Sequence, residues 1–240
     1  MKQLVILFIA TFTISNLGYA QGKADLSQEL DSKQKSLIEI AALTANGDLA
    51  DLRSALNGAL VAGLSINEIK EEFIHVSAYC GFPRALNGII TFNSVLDERK
   101  AKKINDPAGK APTKPTESNK YESGKKVLES LTGQPDRYPK TGYAAFVPGI
   151  DTLLKEHLFN DIFTRGVLDY KQRELITVSI LATLGGVESQ LSGHIGISLH
   201  LGISKKQLQD LLNIIADKVG DQRAVEANKI LERVSTGANR

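Results

Sequence analysis

The feature that most constrains the fold is an internal repeat of helix punctuation. Leu37, Ile38, Leu43 and Gly47 fall opposite Leu175, Ile176, Leu181 and Gly185, and after a one-residue shift Leu52, Leu60, Gly63 and Ser65 fall opposite Leu191, Leu199, Gly202 and Ser204. Gly63 and Gly202 stand where a left-handed residue is wanted to stop a helix. Ser65 with Glu68, and Ser204 with Gln207, have the spacing of capping boxes, in which side chains satisfy free backbone N–H groups at a helix start. Flanking segments show few runs of alternating apolar and polar residues, so no sheet is indicated. The repeat predicts an all-α chain in which a helix, turn, helix, turn, helix unit occurs twice. The competing reading is convergence, because G-x-S-x-x-E/Q is common wherever one helix follows another.

Residues 101–118 turn to Lys, Pro, Asn and Gly, with Pro107, Pro112 and Pro115 and no apolar periodicity. This predicts an exposed linker between a first unit at 25–100 and a second at 119–240. At the start, Lys2 precedes an apolar run over residues 4–14, a polar break, and the small residues Gly18 and Ala20. That order is expected of a secretory signal peptide over residues 1–20, cleaved after Ala20, giving a periplasmic or secreted product. The other reading is a membrane anchor, but a spanning helix needs ~20 mainly apolar residues. Thr11, Thr13, Ser15 and Asn16 interrupt this one, so no membrane association is expected after cleavage.

Loss of Lys2 takes Lys plus Arg from 29 to 28 against 27 Asp plus Glu, so the mature chain carries a net charge of about +1. Nothing in that balance suggests nucleic acid as a partner. Cys80 is the only cysteine and cannot form an internal disulfide, so the fold must rest on packing. The sequence contains no C-x-x-C, H-E-x-x-H, P-loop or G-x-G-x-x-G, the motifs of dithiol, zinc, nucleotide and dinucleotide sites.

Two stretches carry a resemblance. The first is a Y-x-G-x-P-x-A-x-N pattern at Tyr79, Gly81, Pro83, Ala85 and Asn87; the second is LDYKQRELITVSILATLG at 168–185, followed by a histidine helix around His194 and then Gly202. Together they resemble the carboxymuconolactone decarboxylase family, within the alkylhydroperoxidase D-like helical fold. The resemblance implies decarboxylation or related lactone chemistry on a small carboxylated substrate by acid/base groups alone, with no cofactor and no metal. It also implies a homo-oligomer, here a trimer of two-unit chains. The alkylhydroperoxidase D relatives carry C-x-x-C followed by His, but counting back from His194 places Val187 and Gln190 at those cysteine positions. Neither can form a thiolate.

His194 matches the family histidine and is the candidate proton donor, since imidazole titrates at ~6.5 in water. Glu174 is the candidate group to orient it, and Arg173 a candidate to hold a substrate carboxylate. The alternative for both is an ordinary solvated pair in a first helical turn. Arg84, after Pro83, is placed to face an anion at a helix start, or else to form a surface ion pair. His75 and Tyr79, four residues apart, share one helix face, as substrate contacts or as a core face with polar tips. His157 and His200 are not expected to join them, and Cys80 is expected to be a small buried filler.

The first unit has Ala55 where the second has His194, and the second shows no clear copy of the 79–87 segment. The first unit is therefore either a structural partner that completes the core and the pocket, or the source of a Tyr79 to Asn87 segment that closes over the site of the second. Two further functional readings stay open: a non-catalytic periplasmic binding or scaffold protein, and a thiol-dependent peroxidase.

Overall fold

A computed structural model describes residues 29–114 and 118–237, so the expected signal peptide at 1–20 lies outside the described residues. The elements are α1 (Ser32–Asn46), α2 (Leu49–Val61), α3 (Ile66–Ala101), α4 (Lys120–Thr132), α5 (Gly142–Phe146), α6 (Pro148–Leu153), a π-helical segment (Leu154–Ile162), a 3-10 turn (Phe163–Arg165), α7 (Tyr170–Leu184), α8 (Glu188–His200), α9 (Lys205–Lys218) and α10 (Asp221–Ser235). There is no β-strand among the described residues. The fold is all-α.

The repeat is visible in the starts and stops. Asp31 with Gln34 and Asp169 with Gln172 form capping boxes at α1 and α7, and Ser65 with Glu68 and Ser204 with Gln207 do so at α3 and α9. Each such cap is worth about 1 kcal/mol. Gly63 and Gly202 adopt φ of 93° and 81°, the left-handed stop that the sequence indicated. The two units pack with α1 against α7. Ile176 and Ile180 of α7 enter the core of the first unit, while Ile38 and Ala42 of α1 enter the core of the second. With an offset of 138 residues these are equivalent positions, so the exchange is reciprocal. A helix serving two cores must be buried on every side, and α7 is buried continuously from Arg173 to Thr183.

Two expectations are corrected here. The second unit does contain a counterpart of the 79–87 segment. Helix α3 breaks at Gly81, with φ 79° and ψ 160°, and 139 residues later Gly220 separates α9 from α10 with φ 133° and ψ 152°. Arg84 and Ala85 then align with Arg223 and Ala224. The copy was obscure because Asp221 and Gln222 replace Phe82 and Pro83, whereas the bend itself requires only a residue that tolerates positive φ. The repeated part of each unit is thus four helices, with the two halves of α3 on either side of Gly81 answering to α9 and α10.

The second correction concerns the linker. Its described residues 101–114 are largely exposed, as expected, but it is strapped to the fold: Pro107 and Ala108 accept from the Ile66 and Asn67 N–H groups at 3.0 and 2.9 Å, and Thr113 N–H donates to the Arg165 carbonyl at 3.0 Å. The strap satisfies orphan donors at the start of α3, which a proline-rich segment can do because its carbonyls are unengaged. Residues 118–165 then form a layer of their own, in which α4 packs on the π-helical segment through Val127, Leu131, Leu158 and Phe159. Gly124 permits the approach, since a Cβ there would lie 1.8 Å from the Lys155 carbonyl oxygen.

Candidate active site

The polar interior lies between α3, α7 and α8. Glu174 and Arg173 are completely buried, which rules out the solvated first-turn reading. Glu174 Oε2 is 2.8 Å from His194 Nδ1, and the His194 side chain keeps 15 % exposure. Because Nδ1 is engaged by a carboxylate, Nε2 is the ring nitrogen left for a ligand. Glu174 Oε1 is enclosed with no hydrogen-bond partner.

Tyr79 from the first unit packs edge-on to His194 at 5.6 Å between ring centroids and 5.1 Å from His75, so α3 does contribute a residue beside the histidine of the second unit. Its hydroxyl is enclosed and without a partner of hydrogen-bonding geometry; burial, then the nearby Glu174 charge, raise its pKa and keep it protonated. His75 is wholly buried behind Tyr79, so it is not a cleft residue. Arg173 Nη1 lies 3.3 Å from His75 Nδ1, and His75 Nε2 lies 2.8 Å from Thr177 Oγ1. A guanidinium only donates, so Nδ1 accepts and Nε2–H donates to Thr177, whose own hydroxyl donates to the Arg173 carbonyl at 2.9 Å. The tautomer is thereby set. Burial first, then the Arg173 and His194 charges, hold the His75 pKa well below its usual value, and the ring is neutral.

Arg173 is sealed behind this layer. Burial lowers its pKa to about 10, which leaves it charged at neutral pH, and Glu71 lies 3.8 Å away while accepting two hydrogen bonds from Arg165 at 2.7 and 2.8 Å. The guanidinium therefore braces His75 and does not reach a ligand. Arg84 is elsewhere again. It packs beside Gly47 and shares a polar depression with Asn46, Thr183 and Arg223, apart from the His194 cleft. His200 packs on Gly133 and His157 is exposed, neither near the site. Cys80 donates weakly to the Val76 carbonyl, and burial pushes its thiol up to about 11, away from thiolate chemistry.

In front of His194 and Tyr79 opens a cleft of roughly 720 Å³, closed on its far side by the α4 to π-helix layer. Leu128, Leu154, Leu158, Phe159 and Ile197 make its walls apolar. Gln190 and Ser189 lie on its rim, Gln190 at one of the positions where the dithiol relatives have cysteine. Asp151 and Lys155 also line it. Lys155 is 1 % exposed, hydrogen-bonded to Asp151 and 3.4 Å from Asp136, while Lys140 pairs with both aspartates and Tyr121 donates to Asp151 at 2.7 Å. Burial opposes the Lys155 charge, but the hydrogen bond to Asp151 and the two aspartate charges outweigh it and raise its pKa. Sequence reasoning missed this cluster and Thr177. The only signal was the i, i+4 pair of Asp151 and Lys155, which on most helices is a solvated couple. Among the described residues, no group of three or more His, Cys, Asp or Glu side chains is arranged to hold a metal ion.

Comparison with known proteins fits this geometry. A 78-residue stretch, 31% of this chain, is 30% identical to the nitrosuccinic acid decarboxylase npaB of Metarhizium robertsii (strain ARSEF 23 / ATCC MYA-3075) and spans 54% of that protein, about half its length. The model of the carboxymuconolactone decarboxylase family matches twice, at residues 15–91 and 148–233, one match in each unit. Those two matches cover more than half of the sequence, and the chain belongs to the carboxymuconolactone decarboxylase family.

Proposed function

We propose that the chain is a cofactor-independent carboxy-lyase acting on a small carboxylated, lactone-like molecule, with His194 as the proton donor and Glu174 as its orienting carboxylate. The observation that carries this reading is the 2.8 Å His194 to Glu174 contact at the edge of an open apolar cleft. The cleft is not filled by side chains, which favours a working site over a scaffold. In the proposed reaction the C–C bond to the substrate carboxylate breaks, its electron pair passes into a conjugated carbonyl, and carbon dioxide leaves. Carbon then takes a proton from His194 Nε2–H, and solvent returns one to the ring. Glu174 stabilises the imidazolium beforehand and fixes which nitrogen faces the cleft. The Tyr79 ring, edge-on to His194, supplies the cleft wall beside it.

The test uses purified protein and a panel of carboxylated lactones. His194→Ala should lose about 10²- to 10⁴-fold in turnover with helicity unchanged, the usual worth of one positioned acid/base group. Cys80→Ser should cost little. A fully active His194→Ala ends this mechanism, and loss of activity on Cys80→Ser alone would restore the thiol peroxidase reading. We also propose that the chain is exported, beginning at Gln21 after cleavage, which an intact mass checks. Its assembly into a homo-oligomer is proposed from Phe82, Leu86, Ile89 and Ile90, which leave an apolar face of α3 exposed.

A further inference from the structure

Helix starts elsewhere in the chain show that α8 begins in an unusual way. In α1, α3, α7 and α9 the third helical residue, Gln34, Glu68, Gln172 or Gln207, turns back and accepts from the N-cap N–H at 2.8 or 2.9 Å. Helix α2 is capped by Asp48, which accepts from the Asp51 N–H at 3.1 Å. An offset of 139 residues places Val187 and Gln190 of α8 opposite Asp48 and Asp51. Val187 has no acceptor, α8 starts without a side-chain cap, and the Gln190 amide makes no hydrogen bond to another described residue. The amide lines the cleft instead, one helical turn before His194 and on the same helix face. Gly193 lines the cleft beside them, and a Cβ there would meet nothing within 4 Å, so the ledge between amide and imidazole is open. The second unit has thus given up a helix cap at the one place where a glutamine faces the cleft.

We propose that Gln190 is a catalytic residue of this site, its amide donating to the substrate oxygen that takes up the electron pair as carbon dioxide leaves. This rests on the reading of His194 as the proton donor. Side chains four apart on a helix have Cβ atoms about 5–6 Å apart, so both can touch one small ligand. With each group ~3 Å from its target, the imidazole meets the carbon that loses its carboxylate and the amide meets an oxygen two bonds away. The substrate class is therefore an acid with a carbonyl oxygen at that reach, of the 3-oxo or malonic half-ester type, open-chain or closed as a lactone. As the C–C bond breaks, the pair moves onto this oxygen and its hydrogen bond from the amide strengthens; the pair returns to carbon when carbon takes the proton from Nε2. No proton leaves the amide. A neutral donor gains most where charge develops on its acceptor, which favours the transition state over the bound acid. A cation in its place would hold the starting carboxylate as firmly. The lysine on the cleft wall, Lys155, is already committed to Asp151 and Asp136.

The experiment is calorimetric titration of the purified protein with monomethyl malonate and with pentanoate, which have the same chain length and differ in the carbonyl and ester oxygens. Apolar walls alone favour pentanoate. With the amide in place, monomethyl malonate should bind ~5-fold more tightly, the worth of one hydrogen bond. Gln190→Leu should weaken monomethyl malonate by ~5- to 10-fold and pentanoate by less than ~2-fold, which reverses the preference. Circular dichroism checks that the variant, altered at an exposed position, is folded. On any carboxylated lactone that the protein turns over, Gln190→Leu should lower kcat by ~10²-fold while KM moves by less than ~3-fold. Pentanoate binding as tightly as monomethyl malonate, no binding of either, or an equal loss of both on Gln190→Leu would each overturn the inference. So would a preference removed by Tyr143→Phe, on the same cleft, and kept by Gln190→Leu. Turnover that fails on His194→Ala but survives Gln190→Leu sinks this inference and leaves the proposed activity. The malonate preference, lost on Gln190→Leu in a protein that turns over no substrate, sinks the activity and leaves the oxygen contact.

Discussion

The first and second units share one backbone plan and differ in what they do with it. Over 82–90 and 221–229 the pattern of buried and exposed positions coincides except at Ile89 and Asn228. Yet Ser36 stands where Glu174 does, Lys35 where Arg173 does, and Ala55 where His194 does. In the other direction, His75 and Tyr79 of α3 correspond to Ile214 and Lys218 of α9. One cleft thus takes its His194 and Glu174 pair from the second copy and Tyr79 from the first. The pseudo-symmetric alternative, with the roles exchanged, lacks the carboxylate, both imidazoles and the phenol. The outer helices differ too: α3 exposes Phe82, Leu86, Ile89 and Ile90, whereas α10 exposes Val225 among Asp221, Gln222, Glu226 and Lys229. Tandem fusion allows each copy to specialise because neither has to supply a whole site.

This comparison can be broken most sharply at Glu174. Glu174→Gln removes the charge that stabilises the imidazolium and should lower turnover by about 10²-fold or more, whereas Ser36→Ala at the equivalent position should leave it unchanged. Equal effects in a steady-state assay would show that the halves are not specialised as described. Next in size is stability. Arg173→Met takes from Glu71 the buried one of its two cations and leaves His75 Nδ1 without its donor, which should cost about 1–3 kcal/mol by chemical denaturation, while Lys35→Met, at an exposed position, should fall within ~0.5 kcal/mol of wild type.

A smaller effect separates His75 from Ile214. Above pH ~6.5 the imidazole is neutral in folded and unfolded chains alike, but below it the unfolded chain takes up a proton that the buried ring refuses. Stability should therefore fall as pH drops from about 6.5 toward the folded value, by at most ~1.4 kcal/mol per pH unit for one proton. Denaturation midpoints across pH 5–8, for which His75→Gln should show a flatter slope, check this. The smallest change within one chain concerns the outer helices. Leu86→Glu with Ile90→Glu should alter folding stability by no more than ~0.5 kcal/mol each yet dissociate an oligomer built on α3, while Val225→Glu should not. Sedimentation velocity reads the difference, and a mass unchanged by all three would remove α3 as the interface.

The site shows where local sequence information ends. His194, Glu174 and Tyr79 were legible from motif position, and the structure brings them together. Arg84 was legible as a cation at a helix start but not as a group facing away from the cleft, because that depends on the direction in which the second half of α3 leaves Gly81. Arg173 was legible as a carboxylate holder or a solvated cation but not as a buried brace, since nothing within one helical turn reveals that Glu71 and His75, about 100 residues away, enclose it.

The sequence by itself determined the all-α class, the duplication, the helix stops at Gly63 and Gly202 and the starts at Ser65 and Ser204. Caps and left-handed turns are made among residues three or four apart, so their signals survive without tertiary context. Only the tertiary structure decided that α1 and α7 exchange core residues, that Gly220 repeats the Gly81 bend, that the linker caps α3, and that Lys155 closes the cleft as an already neutralised charge. Those outcomes depend on desolvation and ion pairing between segments far apart in the chain, and an arginine or lysine reads the same in sequence whether water or a buried carboxylate becomes its partner.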